Sequence, residues 1–141
     1  MLKTLTIKQP WADAIVHGTK RTENRTWTTR HRGRLLVHAG AAYDQIARYV
    51  IPAEDRADWP DARKALIGLA TLTDVHPATG GCCAPWGESG AGVYHWTLTD
   101  VVALPEPVAC PGRLGLWTPP GELIHQAIRQ VSVVSSTEDR R

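Results

Sequence analysis

Phenylalanine is absent from this chain of 141 residues, so six tryptophans and three tyrosines must supply its aromatic packing. Cysteine is scarce: Cys82, Cys83 and Cys110 are odd in number and two are adjacent, which excludes a disulfide framework. Neither a C-x-x-C pair nor a matching histidine spacing occurs. No metal is therefore expected, and the cysteines read as reduced structural thiols. No apolar run is long enough to span a bilayer, and the alternating segment Met1–Ile7 is too short for a signal peptide. These absences predict a cytoplasmic protein with no membrane attachment. Gly80-Gly81 and Gly87–Gly92 lack the Lys-Ser/Thr ending of a phosphate loop, no serine or cysteine sits in a nucleophile motif, and no cofactor is expected.

A formal net charge of +2 says little about partners, but the distribution of charge says more. Between Thr19 and Arg34 stand six basic residues, Lys20, Arg21, Arg25, Arg30, Arg32 and Arg34, against the single acid Glu23. Glu54, Asp55, Asp58 and Asp61 form an acidic counterpart relieved only by Arg56. A basic segment in a near-neutral chain suits a local anionic partner, although a solvated polar face fits equally well.

The length fits one domain, predicted over residues 1–130 and followed by a flexible tail, 131–141. Leu2–Lys8 alternates as a strand does. Pro10 then opens a short helix to His17, with Trp11, Ala14 and Ile15 on one stripe and Gly18 at its end. Thr19–Trp27 reads as an extended segment and Arg34–His38 as a short apolar strand. Gly40 is predicted to open a second helix, with Ile46, Tyr49 and Val50 as its apolar face. Leu66–Val75 is apolar enough for a central strand, and Val93–Leu104 for another. The sixteen residues Pro77–Gly92, with five glycines and two prolines, form a long loop of the kind that often carries function. Leu114–Trp117 reads as a last short strand and Gly121–Gln130 as a terminal helix. About five strands with two or three helices amount to an α+β fold, a small barrel with peripheral helices.

In a regular strand Arg21, Glu23, Arg25 and Trp27 share a face, while Lys20 is free in the turn after Gly18 to join them. Lysine, glutamate and arginine side by side suit an anionic or polar ligand. Arginine grips a phosphate or base edge with two bonds, and glutamate accepts from an exocyclic amine. The bland alternative is a surface ion pair worth up to about 1 kcal/mol. Trp11, Trp96 and Trp117 fall on apolar faces and belong to the core; Trp59 sits among acids. Trp27 and Trp86 are the better stacking platforms. His17 and His38 end elements near the basic segment, where a structural role is commoner than catalysis.

Four segments resemble the ASCH family, a branch of the PUA-like superfamily. Gln9–Trp27 contains a G-x-K-x-x-E-x-R pattern in Gly18, Lys20, Glu23 and Arg25. Arg32–Ala39 resembles the family's next strand, Ile67–Val75 its central strand, and Tyr94–Trp117 its closing strands. The resemblance implies a PUA-like β-barrel that holds single-stranded RNA, a nucleotide or a modified nucleobase, with DNA as a further partner. The ligand-binding residues expected are Lys20, Glu23 and Arg25 of that pattern, with Arg32 and His38 near it and the stacking candidates Trp27 and Trp86. A second implication is hydrolysis, of an acylated nucleoside or of RNA, with Lys20 and Glu23 catalytic. In the amidohydrolase branch, however, a threonine stands where this chain has Glu23, and Asp74 is a candidate stand-in for the second acid. A third reading, resting only on the acidic Glu54–Asp61 segment, is a protein-interaction module of the coactivator kind.

Overall fold

The computed structural model describes the backbone of residues 2–139 and the side chains of residues 2–131. Six strands form a single curled sheet: β1 (Lys3–Gln9), β2 (Thr22–Arg25), β3 (Gly33–Tyr43), β4 (Ala65–Pro77), β5 (Tyr94–Ala109) and β6 (Leu116–Trp117). Three helices accompany it: α1 (Trp11–Val16), α2 (Ala53–Arg56) and α3 (Gly121–Asp139). The strand order is β2-β5-β4-β3-β1-β6. All pairings are antiparallel except β1 with β3. The α+β class and the small barrel with outer helices hold, with the sheet left open as a half-barrel. The expected tail, 131–141, falls largely on residues whose side chains lie outside those described. No described helix is long and apolar enough to cross a membrane.

Both faces of the central strands are covered, which explains the unbroken run Leu35-Leu36-Val37. Leu35 and Val37 turn toward α1 and pack with Leu5, Ile7, Ile15 and Trp96. Leu36 turns the other way, toward α3, with Leu66, Leu69, Val108, Trp117 and Ala127. Strand parity thus divides one apolar run between two cores.

Two expectations are corrected. No second helix starts at Gly40: residues 40–43 continue β3, where Tyr43 pairs with Gln9 of β1. Sheet pairing there overrides the helix preference of Ala41-Ala42. A 3-10 turn follows at Gln45–Tyr49, capped by Asp44, whose carboxylate accepts from the Ile46 N–H. Ile46, Tyr49 and Val50 are exposed, while Ala47 and Ile51 are buried in their place. The strand expected to end at Leu104 runs on to Ala109. Gly68 pairs with Ala103 and Leu66 with Val108, so Pro105 and Pro107 lie in an irregularity that owes no ladder bonds.

Candidate functional site

The cleft lies where the sheet fails to close. β6 covers only Thr4 and Leu5 of β1, leaving the edge of β1 open from Thr6 onward. Across that gap stands β2, the opposite edge strand, held to β5 by the pairs Glu23↔Trp96 and Arg25↔Tyr94. Arg25 spans the gap, its Nη2 donating to the Thr6 carbonyl at 2.9 Å. The resulting cleft, about 780 Å³, is floored by Lys20, Glu23 and Arg25 and walled by Trp11, Trp27 and Trp86.

Gly18 sets the position of Lys20. A Cβ at residue 18 would lie 2.7 Å from the Ala14 carbonyl oxygen, so only glycine lets the chain fold back tightly after α1. That turn places the Lys20 N–H on the Ala14 carbonyl at 3.0 Å and sends its side chain inward. Arg21 points away and holds the Ile15 and Gly18 carbonyls at 2.9 and 3.2 Å, capping α1. Lys20 is 2% exposed and Glu23 7%, so the exposed ion pair weighed against ligand binding is not what forms. Lys20 Nζ donates to Glu23 Oε1 at 2.8 Å and also to the Thr22 carbonyl. Arg25 Nε donates to Glu23 Oε2 at 3.1 Å. Burial alone would raise the Glu23 carboxyl, but Lys20 and Arg25 outweigh it and hold it below the usual glutamate range. The carboxylate keeps free lone pairs for a further donor.

Trp27 meets Trp96 edge-on, with ring centroids 4.7 Å apart, and the Trp96 indole N–H donates to the Trp27 carbonyl at 3.2 Å. Trp86 comes from the Pro77–Gly92 loop, which Asn24 ties to β2. Asn24 donates to the Trp86 carbonyl at 3.0 Å and accepts from the Glu88 N–H at 2.8 Å. Trp11, assigned to the core from its spacing, is half-buried on the cleft wall and donates to Asp44 Oδ2 at 2.9 Å.

Five of the seven predicted binding residues therefore meet at one cleft: Lys20, Glu23, Arg25, Trp27 and Trp86. Arg32 does not line it and turns back onto the Thr29 and His31 carbonyls, both at 2.8 Å. His38 does not line it either. It is buried against Trp117, and its Nε2–H donates to the Cys110 carbonyl at 2.6 Å. Asp74, the candidate second acid, is exposed outside the cleft and paired with His76. Sequence spacing missed Trp11, because a helix edge beside a cleft has the same periodicity as a buried stripe. It also missed Asn24, whose role depends on a partner about sixty residues away.

Burial holds the His38 imidazole below its usual range, the Cys110 carbonyl opposing only in part. As pH falls below about 6.5 the unfolded chain therefore takes up a proton that the folded chain refuses, and stability is lost. Glu23 acts with the same sign further down: the unfolded carboxyl protonates near its ordinary pKa of about 4.5 while the folded one stays charged. Asp13, raised by burial, opposes this in the acid range. We predict a two-stage loss of stability between pH 7 and pH 3, read by urea titration at each pH. The slope of the lower stage should shrink in Glu23→Gln; an unchanged slope would count against a charged Glu23.

The fold is thus an open half-barrel in which a mostly buried ion triad lies beneath an indole-lined cleft. The chain belongs to the ASCH family, whose domain model matches residues 5–98. Its fold is similar to that of the ASCH protein of Zymomonas mobilis. The two superpose with a TM-score of 0.57 at 14% identity, over 91% of this chain and 94% of that one. A shorter stretch is similar to Activating signal cointegrator 1 of Homo sapiens, 54% identical over 37 residues, which is 26% of this chain. The mouse protein of that name matches at 54% over 35 residues. The match spans only 6% of the length of each of these two relatives.

Proposed function

We propose that the cleft binds a single-stranded RNA segment, a nucleotide or a modified nucleobase. The observation that carries this reading is that half-buried Trp27 and Trp86 line one cleft above the buried Lys20–Glu23 pair and half-buried Arg25. A base held there has an indole face to stack on, a carboxylate to accept from its exocyclic amine, and a guanidinium for its carbonyl or phosphate. Lys8 and Arg113 at the rim add positive charge, while Asp44 and Glu88 moderate it. The chemistry suits a base and one or two phosphates better than a long polyanion. The family assignment supports the same reading, since PUA-like domains are mostly associated with RNA.

Titration of indole fluorescence with short RNA and DNA oligomers, nucleotides and acylated nucleosides tests it. At least one of these should saturate the signal. Trp86→Ala should weaken that ligand by about 5- to 150-fold, the range expected for one lost stacking contact. No binding across the panel, or unchanged binding in Trp86→Ala, would sink the proposal.

A second reading, hydrolysis of an acylated nucleoside, draws on the buried contact between Lys20 Nζ and the Glu23 carboxylate at 2.8 Å. A lysine so placed is a candidate proton carrier in a cleft that can hold a nucleoside. Mass spectrometry of the same incubations reports on it, through a deacylated product that Lys20→Ala no longer forms.

A further inference from the structure

Behind the cleft wall, four side chains that no motif links converge. His76 and His95 stand directly opposite each other on β4 and β5. Cys82 and Cys83 come from the loop between those strands. One ligating atom from each of the four lies within 4.8 Å of the others. Cys82 Sγ is 3.3 Å from His95 Nδ1 and 3.7 Å from His76 Nε2, and Cys83 Sγ is 3.4 Å from His76 Nε2. Zinc bonds of about 2.3 Å to sulfur and about 2.0 Å to nitrogen, at tetrahedral angles, would place sulfur and nitrogen about 3.5 Å apart.

We propose that His76, Cys82, Cys83 and His95 form a closed, tetrahedral S2N2 site for a structural zinc ion. The surroundings of the four residues fit that role. Each ring has its far nitrogen engaged: His76 Nδ1 with Asp74 Oδ2 at 2.7 Å, and His95 Nε2 with the Glu88 carbonyl at 2.6 Å. Both acceptors fix the tautomer that leaves the other nitrogen's lone pair facing the sulfurs, the arrangement found behind zinc-bound histidine. The Thr79 N–H and hydroxyl approach Cys82 Sγ at 3.5 and 3.7 Å, as donors to a metal-bound thiolate do. Cys83 takes a left-handed backbone (φ 63°), a cost that a non-glycine residue bears where its surroundings demand it. A Cβ at Gly87 would lie 2.8 Å from His95 Cε1 and 2.9 Å from Cys83 Cβ, so the loop can close over the cluster only with glycine there. A nucleophilic thiol would use one imidazole. A second ring aimed at the same sulfur, with a second thiol beside it, is what a four-coordinate ion requires.

The ion's task is to fasten the Pro77–Gly92 loop to the sheet. That loop carries Pro85, Trp86, Gly87 and Glu88 into the cleft wall. The metal site does not depend on what the cleft holds, and it can stand if the binding proposal fails.

The test uses the full chain, purified under reducing conditions. Elemental analysis should find one zinc per chain, retained on dialysis and released on thiol alkylation. Cobalt(II) added to the metal-free chain should give the intense visible bands and sulfur charge-transfer absorption of a tetrahedral dithiolate site. Cys82→Ser/Cys83→Ser should lose the ion, and His76→Ala should bind it at least tenfold more weakly, while Cys110→Ser keeps it. Far-UV circular dichroism verifies that each variant folds, and the cobalt titration of the parent chain stands even if one does not. Hydrogen exchange should rise across residues 78–92 on chelation and stay unchanged in β3. A folded, reduced chain that takes up neither zinc nor cobalt overturns the proposal. So does metal binding that survives loss of both loop cysteines, or an octahedral cobalt spectrum.

Discussion

Glu23→Ala is expected to destabilise the fold by about 3–5 kcal/mol, because it removes the anion that neutralises buried Lys20 and half-buried Arg25. For a domain of this size that corresponds to a fall of roughly 10–20 °C in melting temperature, measured by calorimetry. Lys20, 2% exposed at the cleft floor, has little access to water, whereas the Arg25 side chain is 23% exposed and can relax outward. Most of the penalty should therefore come from the stranded lysine. Lys20→Met combined with Glu23→Leu removes the buried pair together, leaves only Arg25, which can reach water, and should recover much of the lost stability. The double variant should nonetheless fail to bind any ligand that the parent binds. Stability recovered with binding lost would separate the triad's two roles. A melting temperature in Glu23→Ala within 2 °C of the parent would mean that the triad is solvated and that the buried geometry is wrong.

The sequence was most legible where periodicity and parity act locally. Leu35-Leu36-Val37 announced a short apolar strand, and Gly18 announced the end of α1. From the spacing after Gly18, Lys20 could be expected beside Glu23 and Arg25. What it could not carry was burial. An ion pair on a strand reads the same whether it faces water or the inside of a half-barrel, and only the curl of the sheet decides. Gly40–Val50 misled because alanine-rich composition favours a helix wherever no strand stands ready to pair, and here β1 does. His38 and Arg32 fell beside the motif in sequence but turn to carbonyls elsewhere. The His76–Cys82–Cys83–His95 cluster was invisible for a different reason. Its ligands come from two strands and a loop, so no fixed spacing records it, and the cross-strand register that makes His76 face His95 exists only after folding.

Trp96→Ala is the second large effect, expected to cost about 3–5 kcal/mol as a buried indole gives way to a cavity. Trp96 is fully buried, lies opposite both Glu23 and Val75 in the sheet, and holds Trp27 by its indole N–H and by an edge-on ring contact. The loss should therefore reach function as well as stability. Freed from its edge contact, the Trp27 ring loses its fixed place on the cleft wall, and ligand must pay to order it again. Trp96→Phe refills most of the volume but cannot donate to the Trp27 carbonyl, so it should restore more stability than affinity. The comparison is direct: chemical denaturation gives the stability of both variants, and titration with the best ligand of the panel gives their affinity. Equal recovery of both in Trp96→Phe would show that volume alone matters. Recovery of stability with affinity still depressed would identify the 3.2 Å indole hydrogen bond as the part of the core that shapes the cleft.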